Sequence, residues 1–225
     1  MRQIKVKYIS QEIEITGETA KHLIYSLRSR VGERITVIDE EGKRALIELV
    51  KFSKDSVIGQ LIEMLSPRMK ESITLAVSVP KRGIDDIIRQ ATEIGVFAIQ
   101  PIITERTISR PSNSKQERWQ RIAKEAAEQS GAFEPTVKPI IELKELIAHN
   151  NEQIIFCNET ERQRKISLVE LADKVTIIIG SEGGFSEREI KFLEESGAVS
   201  VTLGDNILRV DTAAIFALIA VKIRL

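Results

Sequence analysis

Apolar and polar residues alternate along the opening third of the chain, then give way to a longer rhythm. Ile4, Val6 and Tyr8 alternate with basic residues, and Ile13 and Ile15 alternate with Glu12 and Glu14. A period of two predicts half-buried strands. Thr36–Ile38, Ala45–Val50 and Val57–Met64 continue it, and Glu40-Glu41-Gly42-Lys43 between them predicts a hairpin link. One helix is expected from Glu18 to Leu27. This part reads as a small β-rich, barrel-like unit. The polar, proline-containing stretch Ser66–Ser72 predicts a boundary, giving domains 1–68 and 69–225.

Beyond it, strands alternate with helices. Ile73–Val79 is an apolar strand, and Ile84, Ile87, Ile88 and Ala91 then recur at helical spacing. Val96–Ile99 is the next strand. Ser114 and Glu117 stand at capping-box spacing before a helix with Trp119, Ile122, Ala123, Ala126 and Ala127 on one face. Its other face carries Arg118, Arg121, Glu125 and Glu128. Ile154–Cys157, Val175–Ile179 and Val199–Thr202 are further strands, each expected to lead into a helix. The alternation predicts an α/β domain with a mostly parallel sheet and helices on both faces. The last helix, Ala213–Val221, is apolar on all sides and is expected to be buried, internally or between subunits.

Composition narrows the classes. The 225 residues carry 33 Lys+Arg against 33 Asp+Glu, so no chain-wide basic field exists and any RNA contact must come from local patches. One such patch is Arg106, Arg110, Lys115, Arg118, Arg121 and Lys124; another is Arg28, Arg30 and Arg34, with Arg2, Lys5 and Lys7. Solvated helix charge is the bland alternative for both. Cys157 is the only cysteine, so no internal disulfide can form, which fits a reducing, cytoplasmic setting. Two distant histidines suggest no metal site. The longest late apolar run is far shorter than the roughly 20 residues of a membrane span, so no membrane partner is expected.

Two glycine loops hold most of the candidate chemistry. In IIIGSEGGFSEREI, from Ile177 to Ile190, an apolar strand runs into Gly180, Gly183 and Gly184. Ser186 and Glu189 then form a capping box, and Phe185 and Ile190 can close a hydrophobic staple. No Lys-Ser or Lys-Thr follows the glycines, which excludes a P-loop, and the spacing is not G-x-G-x-x-G. Glu182 suits a ligand with hydroxyls or positive charge rather than a polyphosphate. The second loop, Leu203 to Ala214, places Arg209 in apolar company, with Asp211 or Thr212 as candidate N-cap of the last helix. Arg209 could alternatively pair with Glu182.

The two loops together resemble the RsmE family, the 16S ribosomal RNA uridine-N3 methyltransferases of the SPOUT class. The block Ala91-Thr92-Glu93-Ile94-Gly95-Val96, Pro101, Thr104-Glu105-Arg106, Arg118-Trp119, Glu125–Ser130 and His22–Gly32 also resemble that family, in order along nearly the whole chain. Departures are Ser181 in place of a proline, Val210-Asp211 in place of Thr-Glu, and Gly131-Ala132-Phe133 where an arginine commonly follows the glycine. The resemblance implies a PUA-like barrel followed by a trefoil-knotted SPOUT domain, a homodimer, and S-adenosylmethionine as cofactor. It places the cofactor on Cys157, Asn158, Glu159, Gly180, Ser181, Glu182, Gly183, Leu203, Gly204, Ile207, Leu208, Arg209, Thr212 and Ala213. Arg209 and Asp211 would serve catalysis. Arg28, Arg30, Arg106, Arg110 and Arg118 would contact 16S ribosomal RNA in the 30S subunit. A SPOUT enzyme acting on another RNA or atom, such as a ribose 2′-hydroxyl, and a non-catalytic ribosome-assembly protein are the alternatives.

Overall fold

The computed structural model describes residues 3–39, 43–65, 72–109 and 114–225. Contacts divide the chain into two units, Met1–Met69 and Lys70–Leu225.

In the first unit β1 (Gln3–Lys5), β2 (Glu12–Thr16), β3 (Arg34–Ile38), β4 (Arg44–Phe52) and β5 (Ser56–Leu65) form one sheet in the order β1-β3-β4-β5-β2. Its neighbours are antiparallel except for β1 and β3. The period of two sends Ile13, Ile15, Ile35, Val37, Ile47, Leu49 and Val57 into one core with Ala20 and Leu23. Two register shifts between β4 and β5 add bend to the sheet. The alternation through Tyr8 does not make a long strand. β3 ends at Ile38, which takes its last bond from the Val6 N–H at 2.8 Å, and Tyr8 is left 66% exposed. The hairpin residues Glu40–Gly42 lie outside the described residues, but β3 and β4 pair antiparallel on either side of them.

The expected helix is split. α1 (Gly17–Lys21) passes into a π-helical turn, His22–Ser26. The Ser29 N–H reaches back to Leu23 O at 2.9 Å, and Arg28 between them has φ 49°. That left-handed position costs an L-residue about 1–2 kcal/mol.

In the second unit β6 (Ser72–Ser78), β7 (Ala98–Ile103), β8 (Thr136–Val137), β9 (Ile141–Glu142), β10 (Gln153–Cys157), β11 (Lys174–Ile179) and β12 (Val199–Val201) form one sheet. The order is β12-β10-β11-β6-β7-β8, with β9 also on β7, and every pairing is parallel. Successive residues point to opposite faces, and both faces are covered. Leu75, Val77, Ile155 and Ile177 pack with α2 (Ile84–Ile94), α3 (Ser114–Ser130) and α6 (Val210–Lys222). Ala76, Phe156 and Ile178 face α4 (Leu143–His149) and α5 (Glu187–Glu195). Burial on two sides explains why these strands read as unbroken apolar runs. Gly95 ends α2 at φ 90°, receiving the turn that a side chain would resist. Trp119 anchors α3 at 1% exposure.

The sequence pattern differs from the structure in three places here. β8, β9 and α4 are too short to announce themselves by periodicity. No α-helix follows β10; its loop gives only a 3₁₀ turn at Ile166–Leu168, because the chain is held beside the end of β12 instead. The last helix is not buried all round: Ala213, Ala214, Ala217, Leu218 and Val221 are, while Phe216 (46%), Ile219 (45%) and Ile223 (78%) face outward.

Candidate active site

Three adjacent parallel strands, β12, β10 and β11, end at the same edge, and the loops that leave them enclose a cavity of about 270 Å³. The carboxyl edge of a parallel sheet is where α/β folds gather ligands. Cys157 ends β10 and Asn158 and Glu159 follow it; after β11 come Gly180 to Glu182 with Gly184; after β12, Leu203, Gly204, Ile207, Leu208 and Arg209. Asp211 and Ala213, at the start of α6, also line it.

Each loop is fixed by its own bonds. The Asn158 N–H donates to Val201 O at 2.9 Å, and its side-chain amide donates to Ser200 Oγ at 3.2 Å. Asn158 Oδ1 accepts the Thr160 N–H at 3.0 Å. Further on, the Thr202 N–H donates to Arg164 O and the Ile166 N–H to Thr202 O, lacing the first loop to the third. Between these anchors the Glu161 carboxylate accepts the N–H groups of Arg162, Gln163 and Arg164. Those bonds, led by the one from Gln163, hold its pKa below the usual carboxylate value.

In the glycine loop the Gly184 N–H closes on Ser181 O at 2.9 Å, and Ser181 Oγ donates to Gly184 O at 3.4 Å. The hydroxyl of Ser181 thus acts within the turn where a proline would only stiffen it. The capping box is complete: the Glu189 N–H donates to Ser186 Oγ at 3.1 Å and the Ser186 N–H to Glu189 Oε2 at 2.9 Å. Phe185 and Ile190 pack in one cluster, as the staple requires, and Phe185 meets Phe156 edge-on at 5.8 Å. Gly184 has φ 68°, and a Cβ there would stand 2.7 Å from Glu159 Oε1. Gly184→Ala combines strained backbone with a displaced carboxylate. The expected result is a melting temperature lower by roughly 4–8 °C, for about 2 kcal/mol lost, read by thermal unfolding of the full chain.

Arg209 is the N-cap residue of α6, at φ −66° and ψ 157°; neither Asp211 nor Thr212 takes that place. Both fall in the first turn, where Asp211 Oδ1 accepts the Thr212 N–H at 2.9 Å. A carboxylate there complements the helix dipole. The Arg209 guanidinium pairs with Asp211 at 3.8 Å rather than with Glu182, and its side chain is 89% exposed. Glu182 instead accepts the Lys81 N–H at 2.8 Å. Desolvation pushes the Cys157 thiol up to about 12, so it stays protonated at neutral pH and is no nucleophile.

Of the expected cofactor residues, Gly183 and Thr212 do not reach the cavity wall. Nine wall residues lie outside the expected cofactor and catalytic residues: Pro80, Arg82, Arg162, Ile179, Gly184, Phe185, Thr202, Asn206 and Val210. Pro80-Lys81-Arg82-Gly83 is a turn at the end of β6, next to β11, and its position after an apolar strand was the available signal. Among the arginines expected to meet RNA, Arg28 and Arg30 are exposed on the first unit. Arg118 forms an ion pair with Asp85, Arg106 donates to Gly183 O at 2.5 Å, and Arg110 lies outside the described residues. Among the described residues no group of His, Cys, Asp and Glu could hold a metal, and no helix is long and apolar enough to cross a membrane.

Comparison with known proteins gives one answer. Residues 67–222 match an RNA methyltransferase domain family, and residues 15–62 match an RNA methyltransferase PUA domain. Ribosomal RNA small subunit methyltransferase E of Bacillus subtilis is 31% identical, over 99% of this chain and 96% of that protein. The Aquifex aeolicus protein of that name is 35% identical over 78% and 79%. The crystal structure of the Neisseria gonorrhoeae enzyme of that name, bound to S-adenosyl methionine, superposes with a TM-score of 0.80 at 30% identity, covering 100% of this chain and 98% of that one.

Proposed function

We propose that this chain, which belongs to the ribosomal RNA small subunit methyltransferase E family, methylates N3 of a uridine in 16S ribosomal RNA of the small subunit, using S-adenosylmethionine. The observation that carries the reading is the cavity of about 270 Å³ built from three strand-end loops with Arg209 on its wall.

The residues present fit that cofactor. Ile179, Leu203, Ile207 and Leu208 offer apolar wall, and Gly180 and Gly184 let backbone approach a nucleoside closely. Glu159, Glu182 and Asp211 supply carboxylates for a ligand with hydroxyls and positive charge. When bound, S-adenosylmethionine supplies an electrophilic methyl group on a sulfonium. The chain's own task is to bind, orient and stabilise. N3 of uracil is an imide nitrogen that carries the lone pair for attack once its proton has left, so negative charge develops over the imide. The guanidinium of Arg209 stabilises that charge, and Asp211 restrains the guanidinium. A protonated Cys157 makes no covalent adduct, and nitrogen methylation needs none. N3 is hidden in paired RNA, so the target base is exposed or turned out of its stack. Exposed Arg28 and Arg30 are suited to tracking the RNA backbone.

The exposed apolar row formed by Phe216 and Ile219 on α6 and Ile223 just past its end supports a homodimer in which a second copy covers it. The trefoil knot of the SPOUT class belongs to the same reading. Nucleoside mass spectrometry of ribosomal RNA, with and without this protein, is the test. Expected is 3-methyluridine from the small-subunit RNA only when the protein is present. Methyl on a ribose 2′-oxygen, or no new methylation, would overturn the reading.

A further inference from the structure

Gly183 belongs to the glycine loop yet is turned out of the cavity wall, and Arg106 meets its outer side. Arg106 Nη1 donates to Gly183 O at 2.5 Å. The arginine stem lies so close that a Cβ on Gly183 would stand 3.3 Å from Arg106 Cδ. Gly183 O and the Gly184 N–H belong to one peptide group, and that N–H is held by Ser181 O at 2.9 Å. The peptide is therefore fixed at both ends, by Arg106 on its oxygen and Ser181 on its nitrogen.

The base of the arginine is equally held. The Glu105 N–H donates to Glu189 Oε1 at 2.8 Å, and the other oxygen of that buried carboxylate caps α5. On the other side Thr104, Thr107 and Ser78 form a buried hydroxyl triangle with edges of 2.9, 2.7 and 3.0 Å. The Thr104 N–H adds a bond to Thr107 Oγ1 at 2.8 Å. β7 and β11 are not neighbours; β6 lies between them. The segment Thr104–Thr107 thus reaches across one strand to grip a loop two strands away.

We infer that Arg106 is a positioning residue for the glycine loop, setting the Gly183–Gly184 peptide and through it the cofactor-facing wall, rather than a contact to RNA. This rests on the proposed cofactor reading. The test is calorimetric titration of S-adenosylmethionine into the full-length wild-type chain and into R106A, R106K and G183A. R106A weakens binding about tenfold, the loss of one hydrogen bond from a charged donor. R106K keeps a donor and recovers most of that loss. G183A crowds the arginine stem by a few tenths of an ångström without removing a charge, is expected to weaken binding in the same sense by less than R106A does, and tests the contact even where R106A folds poorly. The two losses are non-additive in the double variant, because they break one contact. RNA affinity keeps its salt dependence in R106A.

R106A with wild-type cofactor affinity would overturn the inference. So would a salt slope for RNA binding lower by about one, the signature of a lost phosphate contact. A wild-type chain that binds no S-adenosylmethionine would sink the cofactor reading and this inference with it; wild-type binding matched by R106A would sink this inference alone.

Discussion

Arg209→Ala lowers the rate of methyl transfer to small-subunit RNA about a hundredfold or more. One well-placed donor facing developing negative charge is worth on the order of 3 kcal/mol in the transition state, and Arg209 stands on the cavity wall beside the start of α6. The fold loses little. The side chain is 89% exposed, its ion pair to Asp211 is 3.8 Å long, and exposed pairs of that kind contribute about 0–1 kcal/mol. The backbone of residue 209, which caps α6, is unchanged by the substitution. The measurement is single-turnover incorporation of labelled methyl at saturating cofactor, with binding and melting temperature followed in parallel. Arg209→Lys restores part of the rate, because an ammonium keeps the charge but loses the planar fork. Transfer at the wild-type rate in the alanine variant would take Arg209 out of the mechanism.

Ile219→Asp is expected to separate the proposed dimer. On α6 the inward residues Ala214, Ala217, Leu218 and Val221 are fully buried, so the helix is already seated in its own unit. Phe216, Ile219 and Ile223 point the other way. Covering the 45% of Ile219 that is exposed is worth about 0.7–1.4 kcal/mol, and a two-fold axis counts each position twice. An aspartate there removes that gain and adds a desolvated charge. The dissociation constant is expected to rise about a thousandfold or more, seen by sedimentation as a shift to monomer at micromolar protein, with the melting of the separated chain little altered. A wild-type protein that sediments as a monomer at every concentration would refute the proposed dimer, whatever the variant does.

How much of this was legible follows from range along the chain. The turn from β11 to α5 was readable in full, because the capping box, the staple and the Gly184 turn are written within a few residues of one another. The two faces of the parallel sheet were readable as well. Unbroken runs such as Ile177–Ile179 belong to strands covered on both sides, and the helical spacing of Ile84, Ile87, Ile88 and Ala91 belongs to one of the covers. Three adjacent loops closing on one cavity came through family resemblance, since nothing in the local pattern places β12 beside β10. What stayed hidden was long-range or asymmetric. Arg106 reads as one more cation in a basic stretch until Gly183, 77 residues away, is seen to take its proton donor. Arg209 as N-cap was missed because its side chain makes no capping bond; only its backbone angles mark the boundary. The last helix looked uniformly apolar, and no count of apolar residues reveals that one side of it is left exposed among the described residues.

The order of the parallel sheet also governs how the chain can assemble. The first unit needs nothing beyond Leu65 to pair its five strands. The second is different, because β6 has as its partners β7, close by, and β11, whose residues Lys174–Ile179 come much later. β10 in turn waits for β12, and α6 closes over the same face last. Pairings of such separation carry a large loop-closure entropy before any contact repays it, and they slow folding. During synthesis the first unit can therefore complete while β6 and β7 still expose unpaired, strongly apolar edges. Ile73–Val79 and Ala98–Ile103 are then the segments most in need of shielding from self-association until the final strand and helix emerge.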